Sequence, residues 1–176
     1  MFKLVRVRDV VRISPNMFDK PLEEAAYLEL RKAYEGLVTQ NAGIILAIFD
    51  VKVDPYGRIL HGDGASYHNV EFSAVTFDPF QGEVVEGEVV GVTRSGLYVD
   101  LGPIDGFVYI GQVADERAEY DQARQALMLR ESRKTIGKGA QVRARIYNVA
   151  PMPEKGLRIQ LTMRQPGLGL IASEGE

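Results

Sequence analysis

Three aromatic rings stand close together in GLYVDLGPIDGFVYIGQV, residues 96–113: Tyr98, Phe107 and Tyr109, set among glycines in two short alternating runs. Side chains alternate across a strand, so Leu97, Val99 and Leu101 share one face while Tyr98 takes the other. Val108 and Ile110 oppose Phe107 and Tyr109 in the same way. Rolled into a barrel, the aliphatic residues fill the interior and the rings are left outside. Exposed rings beside Lys and Arg form a surface on which bases of a single-stranded nucleic acid stack, at roughly 1–3 kcal/mol per base, while the cations hold phosphates. The cations are at hand: from Arg130 to Arg164, nine Lys and Arg residues stand against only Glu131 and Glu154, on a chain of net charge −3. Arg143 and Arg145 alternate with Val142, Ala144 and Ile146, which expects them on one outward face, and Arg158 is the next candidate. A barrel edge or a joint between domains would use rings in the same way, and the residues alone leave that open.

Other constellations carry less chemistry. His61 and His68 bracket Asp63, but no third strong ligand lies close by, so no metal site is expected. Asp50 and Asp54 flank a strand end and read as turn or cap residues. Gly137-Lys138-Gly139 is too short for a phosphate loop and lacks the following Ser or Thr. Ser95 and Ser132 have no nucleophile motif around them. Polymerising or hydrolytic metal chemistry needs clustered carboxylates, and no such cluster occurs. The expectation is a non-catalytic chain without cofactor.

The elements that would position the rings fall into two halves of different pattern, an α+β half and then an all-β half. Val5 and Val7 alternate with Arg6 and Arg8, predicting a first strand with one charged face. Asp19 is placed to cap a helix with Pro21 in its first turn, and Leu22, Ala26, Leu30, Ala33 and Leu37 recur at helical spacing. GIILAIFDV, 43–51, is too continuously apolar for an exposed strand, and VEFSAVTFDPF runs from Val70 to Phe80. Gly62-Asp63-Gly64 permits a tight left-handed turn, so the loop from His61 to His68 is expected to project as a narrow tip. From Gly82 onward short strands dominate, in GEVVEGEVVGV, LYVDL, GFVYI, ALML, QVRARIYNV and LRIQLTM, which suits a small antiparallel barrel of five strands. ADERAEYDQARQ, 114–125, reads as a loop or short helix. The domains are thus expected at 1–80 and 81–165, followed by a mobile tail over 166–176.

The 176 residues suffice for two small domains, and 45% hydrophobic with 26% charged residues is ordinary for a chain that buries a core. Cysteine is absent, which excludes a disulfide framework. Charges interrupt the N-terminal MFKLVRVRDVVRI every few residues, and no long apolar run occurs; a cytoplasmic protein is the simplest reading.

The residues also carry a resemblance. GEVVEGEVVGVTRSGLYVDLGPIDGFVYIGQV, then GAQVRARIYNV and KGLRIQLTM, resembles the RNA-binding OB-fold module named after the largest protein of the small bacterial ribosomal subunit. In that family an aromatic at the place of Tyr98, and usually a His at that of Tyr109, face RNA. Ser95 stands where Phe is common, Tyr109 replaces the His, and Leu157 lies where a basic residue often sits, which implies weaker and less selective contact. With MFKLVRVRDVVRISPNMF, DKPLEEAAYLELRKAYEG and HGDGASYHNVEFSAVTFDPFQGEVVEGEV, nearly the whole chain resembles the E-prime family of archaeal RNA polymerase stalk proteins. That family's eukaryotic counterpart is the seventh subunit of RNA polymerase II. The resemblance implies a truncated ribonucleoprotein-like N-terminal domain that docks on the polymerase core through a tip at Gly62, Asp63 and Gly64. It implies a small helical partner, the polymerase's F subunit, with which the chain forms a stalk as a heterodimer, and an OB domain that meets emerging RNA. The alternatives are an RNA-binding component of a translation initiation factor or exosome, which would bind RNA without stable association with polymerase, and a purely structural assembly protein, whose rings would be buried against a partner.

Overall fold

A computed structural model describes residues 1–153 and 156–171. They divide into two compact units, the first ending at Asp78 and the second starting at Pro79.

The first unit is built on one long antiparallel pairing of strands distant in sequence. β1 (Phe2–Ile13) pairs along its whole length with the last strand of the unit, from Phe2 opposite Phe77 to Ile13 opposite Ser66. Between them come α1 (Leu22–Tyr34), β2 (Val38–Thr39), β3 (Gly43–Val53), β4 (Arg58–Ile59) and then β5 (Ser66–Phe77). The sheet order is β1-β5-β3-β2, with β4 added to the start of β5. The helix lies on one face: Ala25, Ala26 and Leu30 are buried against Val11, Ile13, Ile45, Ile48, Val70 and Phe72. Two adjacent alanines let the helix backbone come close to the sheet. Glu23 and Glu24 in its first turn and Arg31 and Lys32 in its last complement the helix dipole. Val5 and Val7 pack against this core while Arg6 and Arg8, on the other face, meet Glu71 at 3.6 and 2.9 Å.

Two helix expectations are corrected. Asp19 does not cap α1; Pro21 itself is the N-cap, with ψ 139°, and its carbonyl accepts the Ala25 N–H at 3.0 Å, which leaves Asp19 two residues too early. Leu37 is not part of the stripe, because Gly36 turns into the left-handed region (φ 80°) and its N–H donates to the Ile45 carbonyl. The continuous apolar run of β3 also misleads. Phe49 is 42% exposed and Ala47 lies on the surface, because the strand shifts register twice against β5 and Asp50 takes φ 51° at the second shift. The centre of the sheet is held by β5 instead.

The second unit contains β6 (Val84–Thr93), β7 (Gly96–Asp100), β8 (Asp105–Tyr109), β9 (Ala118–Asp121), β10 (Ala126–Leu129), β11 (Thr135–Ile136), β12 (Gln141–Pro151), β13 (Leu157–Thr162) and β14 (Gly169–Leu170). The order β13-β8-β7-β6-β12, with β12 returning to β13, closes a barrel of five strands in which β8 and β13 run parallel. Val89, Leu97, Val99, Val108, Ile146 and Leu161 fill it and are essentially inaccessible. Closure removes the sheet edges that an open five-stranded sheet would leave unpaired.

ALML and the polar segment before it stand outside the barrel. β9 and β10 form a hairpin, Ala118 opposite Leu129 and Asp121 opposite Ala126, with β11 beside β10. Residues 118–121 are therefore a strand, and the loop or helix expected there is not found; the alternation of Ala118 and Tyr120 with Glu119 and Asp121 is only four residues long inside a polar run. The tail expected from 166 also differs: Leu170 pairs with Val142, and the Ile171 N–H donates to the Gln141 carbonyl at 2.9 Å. Residues 172–176 of that tail lie outside the described residues.

Candidate nucleic-acid interface

Tyr98 and Phe107 are direct cross-strand partners on β7 and β8, with ring centroids 5.0 Å apart and planes tilted by 54°. Tyr98 is 42% exposed and Tyr109 54%, whereas Phe107 is half-buried. Glycines create the room. Tyr109 lies opposite Gly96, where a Cβ would come within 2.0 Å of the Val108 carbonyl oxygen and 3.0 Å of Phe107 Cζ, so no larger residue fits. Tyr98 lies opposite Gly91, and a Cβ there would just touch its ring. Aromatic rings laid across glycine positions keep their faces available while their edges are held.

On its other side β8 runs beside β13, and Phe107 is opposite Gln160. Asn148 Nδ2 donates to Gln160 Oε1 at 3.0 Å. Arg158, two residues before Gln160 and on the same outward face, is exposed and has no carboxylate partner among the described residues. Rings, amides and one cation thus share one wall of the barrel. Arg143 and Arg145 do not join them. β12 sits between β6 and β13, two strands away from the rings in either direction, so its outward residues point from the opposite wall. Arg143 Nε is paired with Glu86 at 2.7 Å, and Arg145 is half-buried with its Nε enclosed and unpartnered. Alternation settles inward from outward; only the order of closure settles which wall.

In the first unit Gly62 (φ 85°) forms the projecting turn, with no atom within 4 Å of where a Cβ would stand. Gly64 is exposed beside it. Asp63, in contrast, is turned inward. Arg12 donates to both of its oxygens, Nε to Oδ2 at 2.9 Å and Nη2 to Oδ1 at 2.8 Å; Tyr67 Oη adds 2.6 Å and the Ala65 N–H 3.1 Å. The Arg12 hydrogen bonds, then those of Tyr67 and Ala65, hold the Asp63 carboxyl far below the usual carboxylate range. What the loop leaves facing solvent is Ile59, 77% exposed, Leu60, 52% exposed, and His61. His68 is buried apart from it, its Nδ1 at 2.8 Å from the Asp54 carbonyl and its Nε2 at 3.1 Å from Ser66 Oγ. Among the described residues no group of three His, Cys, Asp or Glu side chains is placed to hold a metal ion. Asp54 closes a turn through Tyr56 N–H at 3.0 Å, as its position suggested, whereas Asp50 serves the β3 register shift instead.

Two family models match this arrangement: the SHS2 domain found in the N terminus of Rpb7p/Rpc25p/MJ0397 over residues 8–64, and the S1 RNA binding domain over residues 78–164. The DNA-directed RNA polymerase subunit Rpo7 of Saccharolobus shibatae is 48% identical over 97% of this chain and 96% of its own. That of Sulfolobus acidocaldarius is 42% identical over 97% and 93%. The chain belongs to the Rpo7 family of DNA-directed RNA polymerase subunits. A more distant relative, subunit RPB7 of RNA polymerase II from Saccharomyces cerevisiae, is 37% identical over 56% of this chain and 58% of that one.

The S1 match of this Rpo7-family chain spans Tyr98, Phe107, Tyr109 and Arg158, and the SHS2 match spans Arg12 and the Gly62–Gly64 turn. Leu157, a departure from the S1 pattern, is 7% exposed and points into the barrel, so Arg158 is the position that reaches solvent. Ser95 makes backbone and hydroxyl contacts within the β6–β7 turn, accepting the Ile110 N–H at 2.8 Å and meeting Thr93 Oγ1 at 3.0 Å. Gln160 and Asn148 were missed from sequence. The alternation in LRIQL puts Gln160 outward with Arg158, and that signal was available; Asn148 follows a register shift in β12 that no local pattern announces.

No described helix is long and apolar enough to cross a membrane.

Proposed function

We propose that the chain is a non-catalytic stalk subunit of an archaeal DNA-directed RNA polymerase. It pairs with the small helical F subunit, docks on the core through the first unit's tip, and holds emerging single-stranded RNA on the barrel's ring-bearing wall. Full-length similarity to archaeal Rpo7, 48% identical across both units, is the observation that carries this reading. The exposed Tyr98–Phe107 pair with Tyr109, Gln160 and Arg158 alongside supports the RNA part, because stacking plus a few cations retains a moving strand without reading its sequence. Sequence-independent retention of RNA favours processive elongation, and a rigid tip seated in the core favours opening of the promoter during initiation. Gly62 gives the tip its left-handed turn, Gly64 stands exposed beside it, Asp63 acts by bracing it, and Ile59 and Leu60 supply the apolar surface that a docking contact desolvates.

The test is affinity capture of the tagged full chain from an archaeal host in high salt. Co-purification of the large polymerase subunits with a small helical protein is the expected result. Recovery of ribosomal or exosome proteins without polymerase would overturn the stalk assignment.

A further inference from the structure

The ring wall does not end at Tyr109. Beyond it, a shallow hollow of about 490 Å³ is lined by Arg94, Ile110, Ala118, Glu119, Tyr120 and Gln122. That volume lies within the ~300–1,000 Å³ span of small-ligand sites. The hollow is continuous with the rings through the backbone: Ile110 follows Tyr109, the Ile110 N–H donates to the Ser95 carbonyl at 2.8 Å, and Arg94 precedes Ser95.

Its polar groups are arranged for an anionic, planar occupant. Arg94 is exposed, and the partner of its guanidinium is neutral, Gln122 Oε1 at 3.2 Å from Nη2, so its charge is not cancelled. The carboxylates nearby are already engaged. Glu119 meets Arg130 at 2.6 Å and Arg117 at 3.5 Å, and Asp121 meets Arg124 at 3.8 Å. Of the two charged residues that line the hollow, Glu119 is thus neutralised by its own arginines, and Arg94 alone keeps an uncompensated charge. Tyr120 supplies a half-buried ring in the wall, and Gln122 a side-chain amide able to meet a base edge or a ribose hydroxyl.

We infer that this hollow is a further nucleotide subsite: it takes the nucleotide of single-stranded RNA next to the one stacked on Tyr109, with Arg94 on its phosphate and Tyr120 and Gln122 against its base and sugar. The inference rests on the proposed RNA-binding role of the ring wall and extends the strand's path from Arg158 through the rings to Arg94. The motif that marks the rings announces none of these residues, because Arg94 sits in a turn and β9 has the composition of a polar linker.

The experiment measures affinity of the full chain for oligouridylates of increasing length, in the wild type and in Arg94→Ala, Gln122→Ala and Arg143→Ala. Melting curves confirm that each variant folds, and Arg94→Gln keeps a polar side chain without the charge. The expected result is that affinity for the shortest binding oligomers is the same in all, that lengthening strengthens binding to wild type and Arg143→Ala, and that this gain is lost in Arg94→Ala and Arg94→Gln. The salt dependence of the longer oligomers should fall by about 0.7 in logarithmic slope, the share of one phosphate on a single strand. An identical length dependence and salt slope in wild type and the Arg94 variants overturns the subsite and leaves the ring wall standing. No binding at any length by the wild type overturns the ring wall, and the subsite with it.

Discussion

In the first unit most of the described cations are paired with carboxylates, and in the barrel several are not. Arg12 is clamped to Asp63, Arg6 and Arg8 share Glu71, and Lys3 meets Asp78, while Phe2, Leu4, Ile59 and Leu60 stand more than half exposed. The barrel buries its inward aliphatic residues, and its surface shows Tyr98, Tyr109, Arg158 and Arg94, with Val84 and Met152 as scattered apolar exposures. Exposed aliphatic surface around satisfied charges suits a dry contact with protein. Exposed rings beside guanidinium groups that no carboxylate neutralises suit a wet, charged strand. One chain thus carries surfaces of opposite chemistry, and each can be damaged without touching the other.

The largest expected effect separates the two by stability. Phe72 is buried in the first unit's core among Ile13, Leu30 and Val70, and Phe72→Ala should cost about 3–5 kcal/mol through lost transfer and a residual cavity. Calorimetry should show that loss confined to one transition, with oligomer affinity at 25 °C retained by the barrel. A parallel loss of RNA affinity would mean that the ring wall depends on the first unit's order.

Next in size is the removal of rings. Tyr98→Ala with Tyr109→Ala should weaken binding of single-stranded RNA by about tenfold or more, from the range of ~1–3 kcal/mol per stacked base, while association with the polymerase core is unchanged. Unchanged RNA affinity in the folded double variant removes both rings from the site. A smaller contrast lies within the barrel. Arg158→Ala should lower the salt slope by about 0.7, whereas Arg143→Ala, on the opposite wall and paired with Glu86, should leave it where it was. If Arg143→Ala has the larger effect, RNA runs over the other wall.

The expectations that failed share a cause. In-and-out placement of Tyr98, Phe107 and the barrel aliphatics was legible because a strand's side chains repeat every second residue. So was the amphipathic core of α1 from Leu22 to Leu30. Alternation places Arg143 and Arg145 on an outward face but carries no information about which strands lie beside them; β12 is placed by its pairing with β6 and β13, and β6 is distant in sequence. Asp63 falls in the tip by sequence, but its inward turn is decided by Arg12, 51 residues away. β9 escapes notice because its alternation spans only four residues inside a polar run, and β14 because two residues show no period. Local chemistry was readable wherever the local neighbours decide it, and unreadable wherever a long-range partner does.

The smallest effect concerns how the tip is kept rigid. Asp63 has its pKa depressed in the folded chain, chiefly by Arg12, then by Tyr67 and the Ala65 N–H. A depressed carboxylate contributes order that is fully present above its unfolded pKa of about 3.9 and is lost as pH falls through the lower folded value. Between pH 8 and 5 the brace should therefore be constant, and protection of the Ala65 amide from hydrogen exchange, corrected for the intrinsic rate, should stay flat. Protection should fall only in stronger acid. Asp63→Asn keeps an oxygen for the Ala65 N–H but removes the charge that Arg12 grips, so it should reduce protection at every pH and abolish the acid transition. Such a variant should also bind the polymerase core more weakly without altering RNA affinity, because the loop must then be ordered on docking. Loss of protection already between pH 8 and 5 would assign the tip's order to some group other than Asp63. Undiminished core binding by a visibly loosened tip would mean that Ile59 and Leu60 dock without needing a preformed turn.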